Sequence, residues 1–109
     1  MSPRPSIAQL NDVLRTTFLT GRVLITESIS ALPDVIREEI ITKVRTFEAF
    51  TEDNDPYGEH DFGAFDHPKA GRINWKIDYY DRSMTFGSDD PADTAKTCRV
   101  LTILLGEEW

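Results

Sequence analysis

Cysteine occurs once in this chain, as Cys98. That excludes an intramolecular disulfide and a cysteine-built metal cage, and it gives no reason to assume an oxidising compartment. A buried structural thiol is the expected role. No apolar run reaches the roughly 18 residues of a membrane helix, and no apolar stretch follows Arg4 as a secretion signal would require, so a cytoplasmic, non-membrane protein is expected. Basic residues are in the minority, 12 against 19 acidic ones for a net charge of −7, and they form no cluster. Duplex DNA and RNA are bound by neutralising phosphates with clustered Lys and Arg, so direct nucleic-acid binding is not expected. Glycine frames no nucleophile and builds no phosphate-cradling loop, and no zinc spacing occurs.

What is present is enough for one domain over residues 1–109 with a single modest core, at a length where folding buries roughly two-thirds of the unfolded surface. Phe47, Phe50, Phe62, Phe65, Trp75, Tyr79 and Phe86 are spread widely enough to nucleate it. Ser2-Pro3-Arg4-Pro5 reads as a flexible lead-in.

The acidity is local. Residues 48–93 hold twelve Asp and Glu against four Lys and Arg, while the rest of the chain holds seven acids and eight bases. Within that stretch Asp53-Asn54-Asp55-Pro56-Tyr57-Gly58-Glu59-His60-Asp61-Phe62-Gly63 places four carboxylates and an imidazole in eleven positions. An acidic surface of this kind suits a basic protein surface or a cation, and also serves solubility.

Ile7, Leu10, Leu14 and Phe18 recur on one helical face, with Ser6 as a cap, and predict a first helix ended by Gly21. Arg22–Ser28 is short, β-branched and apolar on both faces, as a central strand would be. Pro33 and Asp34 open a second helix over residues 33–50 carrying Ile36, Ile40, Val44 and Phe47 on one side, although residues 44–50 also suit a strand. Three extended runs, 61–66, 72–81 and 83–87, read as a β-meander. In the middle run Trp75, Ile77 and Tyr79 share one face, expected to meet the helices, and Lys76, Asp78 and Tyr80 the other. Asp90-Pro91-Ala92-Asp93 reads as a helix opening, and Thr97–Leu105 as its continuation or as a closing strand. The fold class expected is α+β: an antiparallel sheet of about four strands with three helices packed mainly on one face.

At Asn54–Gly63, Trp75-Lys76-Ile77-Asp78-Tyr79-Tyr80-Asp81, Gly87-Ser88 with Asp90–Asp93, and Arg99-Val100-Leu101-Thr102-Ile103, the chain resembles an uncharacterised bacterial family of small proteins, a domain of unknown function. The resemblance runs from about Leu10 to Trp109. It implies no catalytic residues. Such families are often carried on plasmids and other mobile elements, which implies a role in plasmid upkeep or in evading host defence.

Asp53, Asp55, Gly58 and Asp61 fall at positions 1, 3, 6 and 9 of a calcium-binding EF-hand loop, but Tyr57 and Ala64 occupy positions 5 and 12 where oxygen ligands are required. A looser oxygen site for Ca²⁺ or Mg²⁺ would draw on Asp53, Asp55, Glu59 and Asp61. A metal-assisted hydrolase or phosphodiesterase would use Asp61 with Asp78 on the neighbouring strand, Lys76 to hold a phosphate, Glu59 as a further carboxylate and His60 as base. The structural alternative gives Asn54, Pro56 and Gly58 to turn-building and has His60 tie the loop to the sheet through both ring nitrogens. His67, before Pro68, reads as a turn residue. A partner-binding surface would comprise Asp53, Asp55, Glu59, Asp78, Tyr80 and Asp81, with Tyr80 beside Trp75 or Trp109 as an anchor.

Three functions follow as expectations. The first is a small acidic interaction protein or inhibitor that binds a basic surface, such as that of a nucleic-acid-binding host or defence protein. The second is the metal-dependent hydrolase, and the third a structural or regulatory subunit without catalysis. With no complete catalytic set in the sequence, the reading leans to the first.

Overall fold

The computed structural model describes residues 4–109, so Ser2 and Pro3 of the expected lead-in lie outside the described residues. The elements in chain order are α1 (Ile7–Thr17), β1 (Arg22–Ile25), α2 (Glu27–Ser30), α3 (Asp34–Arg45), β2 (Phe62–His67), β3 (Gly71–Tyr80) and β4 (Cys98–Leu105), followed by a 3₁₀ turn at Gly106–Glu108. The four strands form one open sheet in the order β1-β4-β3-β2. β2, β3 and β4 are antiparallel neighbours, and β1 runs parallel to β4. The α+β class is as the sequence predicts, with one parallel pair added.

Alternation along the strands divides the sheet into two faces. Ile73, Trp75 and Ile77 of β3 lie opposite Leu105, Ile103 and Leu101 of β4. They meet Leu14 of α1, Ile29 of α2, and Ile40 and Val44 of α3 in one apolar core. Each such side chain contributes about 1.5–3 kcal/mol when fully buried, and Trp75 is buried completely. Lys76, Asp78 and Tyr80 stand on the other face, where Glu108 and Trp109 of the C-terminal turn border Lys76 and Asp78.

α1 begins as its sequence predicts. Ser6 Oγ accepts the Gln9 amide at 3.1 Å and Gln9 Oε1 accepts the Ser6 amide at 2.8 Å, a reciprocal cap. It ends at Phe18, left-handed at φ 61° with its amide donating to the Leu14 carbonyl, before Gly21 is reached.

Four expected elements differ. β1 stops at Ile25 because Thr26 turns the chain into the short α2, which buries Ile29. It is also an edge strand: Leu24 is 54% exposed, and only Val23 and Ile25 join the core. α3 ends at Arg45 instead of residue 50, because Phe47 and Phe50 leave the helix to pack edge-on against Trp75, with centroids 5.5 and 6.1 Å away. Residues 83–87 form no strand. β3 already has a neighbour on each side, and the chain makes a turn there with a single bridge, Tyr80 to Gly87; Phe86 is 71% exposed rather than in the core. Asp90–Asp93 starts no helix either: the Asp90 and Asp93 carboxylates accept the amides of Ala92 and Ala95 in two successive turns, and β4 begins at Cys98. Of the two readings of 97–105, the strand is the one that forms, as a central strand.

Candidate functional site

The acidic loop between α3 and β2 is built on polar side chains that turn inward. Asn54 accepts the Thr51 amide at 2.8 Å and donates to the Ala49 carbonyl at 2.8 Å. Asp55 Oδ1 accepts the amides of Glu59 and His60 at 3.0 and 3.2 Å. Gly58 takes φ 63°, a region open to glycine at no steric cost. His60 takes φ 55°, which interrupts strand alternation just before β2. Its ring stacks on Phe50 at 3.9 Å, and Nδ1 lies 3.0 Å from both Asp12 carboxylate oxygens. His60 therefore ties the loop to α1 and not to the sheet as expected, with Nε2 3.7 Å from Asp55.

Two buried arginines hold the surroundings of the loop. Arg15 donates to the carbonyls of Val44 and Arg45 at 3.1 and 3.2 Å, placing a cation on the last carbonyls of α3, and it pairs with Asp12 at 3.0 Å. Arg99 of β4 donates from Nε to Asn11 Oδ1 at 2.8 Å, and Asn11 in turn donates to the Glu59 carbonyl at 3.0 Å and the Tyr79 hydroxyl at 2.8 Å. Asn11, fully buried, thus joins α1, the acidic loop, β3 and β4. Burial pushes the Tyr79 phenol well above its usual range, against the hydrogen bond from Asn11.

On the sheet face that carries Lys76 and Asp78 a groove of about 540 Å³ runs between the start of β2 and the C-terminal turn. Phe62 and Trp109 form one wall, their rings 5.0 Å apart and tilted by 65°. Asp61, Asp78 and Glu108 bring carboxylates to it, and Lys76 pairs with Asp78 at 3.0 Å. Asp61 is held above the usual carboxylate range by burial first, then by the neighbouring charges of Asp55 and Asp78. Glu59 is raised for the same reasons, by burial, Asp61 and Asp55, with Arg99 working in the opposite direction.

Of the residues singled out in the sequence, Asp61, Asp78 and Lys76 line one groove. Asp53 is exposed elsewhere on the loop. Asp55 is buried and spends its carboxylate on the loop amides, so it presents no free oxygen pair to a metal or a partner. Asp81 accepts Ser83 Oγ at 2.8 Å and the Thr85 amide at 3.1 Å, which hold its carboxylate below the usual range. Tyr80 is half-buried at the end of β3. Among the described residues no three His, Cys, Asp or Glu side chains converge closely enough to hold a metal ion, so the expected Ca²⁺ or Mg²⁺ ligands Asp53, Asp55, Glu59 and Asp61 do not form a cage. In the hydrolase set, Lys76 faces Asp78 instead of an open phosphate position, and His60 is turned to Asp12. Cys98 is half-buried, and His67 closes β2 opposite Gly71 instead of lying in the turn as expected, although its Nδ1 accepts the turn amides of Lys69 and Ala70.

Sequence reasoning passed over Asn11, Asp12, Arg15, Arg99 and Glu108. The signal for two of them was available: Asn11 and Arg15 are four apart and flank Leu14, so they sit beside the apolar face of α1 and are buried with it.

The chain belongs to a family of proteins of unknown function, DUF3768, whose model matches residues 25–108. That span takes in α2, α3, β2, β3 and β4 and leaves out α1, which supplies Asn11, Asp12 and Arg15. No curated protein and no solved structure matches the chain. Among the described residues no helix is long and apolar enough to cross a membrane.

Proposed function

We propose that this protein is a small acidic interaction protein of the kind carried by mobile genetic elements, which binds and blocks a basic surface of a host or defence protein. The observation that carries this reading is the groove in which the Phe62–Trp109 wall meets the carboxylates of Asp61, Asp78 and Glu108. Asp61 is crowded by like charges, and among the described residues it forms no ion pair within 4.0 Å. A lysine or arginine side chain from a partner would lower that repulsion, and its aliphatic stem and charged head match the apolar wall and the acidic rim. The exposed Trp109 ring, backed by the half-buried Phe62, adds cation–π attraction, about 0.5–2 kcal/mol per contact. Glu59 flanks the same end of β2, and Tyr80 and Asp81 extend the surface along β3.

Pull-down from host lysate, followed by titration of the recovered protein, tests the reading. The expected partner is basic, its binding weakens as salt rises, and Asp61→Lys with Asp78→Lys abolishes capture while Asp53→Lys on the far part of the loop leaves most of it. Failure to recover any basic partner at low salt, or capture indifferent to the double reversal, would refute it.

A further inference from the structure

Arg99 is a buried cation without a counter-ion. It is 5% exposed, and each group that holds it is neutral: the Asn11 amide oxygen takes Nε at 2.8 Å, the Pro91 carbonyl takes Nη2, and the Tyr79 ring lies 5.3 Å from the guanidinium carbon. Among the described residues it forms no ion pair within 4.0 Å. Arg15, equally buried, has Asp12 at 3.0 Å. Two carboxylates that shortly precede Arg99 in the chain are already spent, that of Asp90 on Arg4 at 3.1 Å and on the Ala92 amide, and that of Asp93 on the Ala95 amide. Glu59 acts on Arg99 only from beyond ion-pairing distance. Proteins seldom bury a charge unpaired, because the lost hydration must be replaced.

The third guanidinium nitrogen, Nη1, donates to no group among the described residues and is not sealed from solvent. Arg99 lines a cavity of about 90 Å³ together with Arg82, Thr20, Thr94 and Thr97. Arg82 is exposed at its rim, and the Thr20 and Thr94 hydroxyls have no side-chain hydrogen bond among the described residues. This is a second cation and two free hydroxyl donors around a guanidinium nitrogen that donates to no group among the described residues, in a space of about three water volumes.

We propose that this cavity binds a small tetrahedral oxyanion, phosphate or sulfate, anchored by Arg99 Nη1 and clamped by Arg82, with the Thr20 and Thr94 hydroxyls completing its donors. The planar guanidinium suits a tetrahedral oxyanion, and charge-assisted N–H bonds to it are the strong ones. Arg99 and its β3 neighbour Tyr79 lie on the sheet face opposite that of Asp78 and Lys76, so the cavity and the acidic groove are lined from different faces of the sheet.

The test follows the Arg99 Nε–Hε resonance of the whole protein during titration with inorganic phosphate against sodium chloride at matched ionic strength. Phosphate is expected to give a saturable shift that chloride does not. Arg82→Ala, an exposed change that leaves the fold intact, is expected to weaken binding by about tenfold, as the loss of one charge-assisted contact does. Phenyl phosphate run in parallel separates two sources of the same group: tighter binding than inorganic phosphate means a phosphate carried on a larger molecule, and equal or weaker binding means the free ion. A phosphate response no different from that of chloride, or undiminished in Arg82→Ala, overturns the proposal.

Discussion

Replacing Asn11 by alanine should cost far more than the loss of a surface amide. Its side chain is fully buried and makes three hydrogen bonds, to the Glu59 carbonyl, the Tyr79 hydroxyl and the Arg99 Nε–H. Two join neutral groups, worth about 0.5–1.5 kcal/mol each, and the third involves a charged donor, worth about 1.5–3 kcal/mol when left unmade. Together these give a loss of about 2.5–6 kcal/mol, a large part of the 5–15 kcal/mol typical of a whole domain. At about 4 °C per kcal/mol for a chain of this size, the melting temperature should fall by about 10–24 °C. Urea unfolding followed by circular dichroism measures it, and the midpoint should drop with the slope unchanged. A loss below about 1 kcal/mol would mean that water replaces all three bonds, and the account of Asn11 as the tie between α1, the acidic loop and the sheet would fail.

Gly63→Ala should destabilise by at least the 1–3 kcal/mol typical of overpacking, because a β-carbon there would lie 2.4 Å from Trp75 Nε1 and 2.8 Å from Phe47; a melting temperature equal to wild type would contradict it. Asp61 and Glu59 have folded-state pKa values above their ordinary 3.8 and 4.5. The folded state therefore holds their protons more tightly, and their contribution to stability falls as pH rises from those ordinary values through the raised ones. Asp61→Asn should remove its share of that decline and be no less stable than wild type at pH 7, which thermal unfolding across pH 3–8 will check. Asp81, Asp90 and Glu108 are shifted down and act in the opposite sense, their stabilisation being lost as pH falls below the ordinary carboxylate range. Mg²⁺, Mn²⁺ and Ca²⁺ should leave the melting temperature unchanged; a selective rise lost in Asp61→Asn would favour the hydrolase.

The parts of this fold that were legible in the sequence are those fixed by local chemistry. Ser6 with Gln9 announces α1, period-two alternation separates Trp75 and Ile77 from Lys76 and Asp78, and Asn54 and Gly58 build the turn that their residue types favour. The misreadings all arise where a distant partner decides. Phe47 and Phe50 have helical spacing, but Trp75 draws them out of the helix. Asp90 and Pro91 suit a helix start, yet the nearby β-branched run of Thr97, Val100, Thr102 and Ile103 fills the gap between β1 and β3, and a central position in a sheet secures more backbone pairing than a short helix would. Nothing local to residues 83–87 reveals that β3 will already have β4 beside it.

The same division runs through the candidate site. The density of acids between residues 53 and 61 is visible in the sequence, but the use each carboxylate finds is not, because that depends on which long-range contacts the loop makes. Asp55 closes its own loop, Asp81 its own turn, and Asp12, from a helix that shows no sign of a site, holds His60. Asp78 is paired with Lys76, and Glu108 accepts the Leu105 amide and the Thr26 hydroxyl, so subtracting the carboxylates so employed leaves Asp61 beside two aromatic rings. Arg99 poses the converse case. In sequence it is one base in a β-branched run, unremarkable beside an excess of acids, and the chain could have paired it with any of several neighbours. Folding instead commits Asp90 to Arg4 and Asp93 to a backbone amide, so in an acidic protein a buried cation is left with neutral partners and a guanidinium nitrogen, Nη1, that donates to no group among the described residues. Charge composition therefore foretells the acidic face and conceals the cationic cavity, and the two are lined by opposite charges that a net charge of −7 cannot convey.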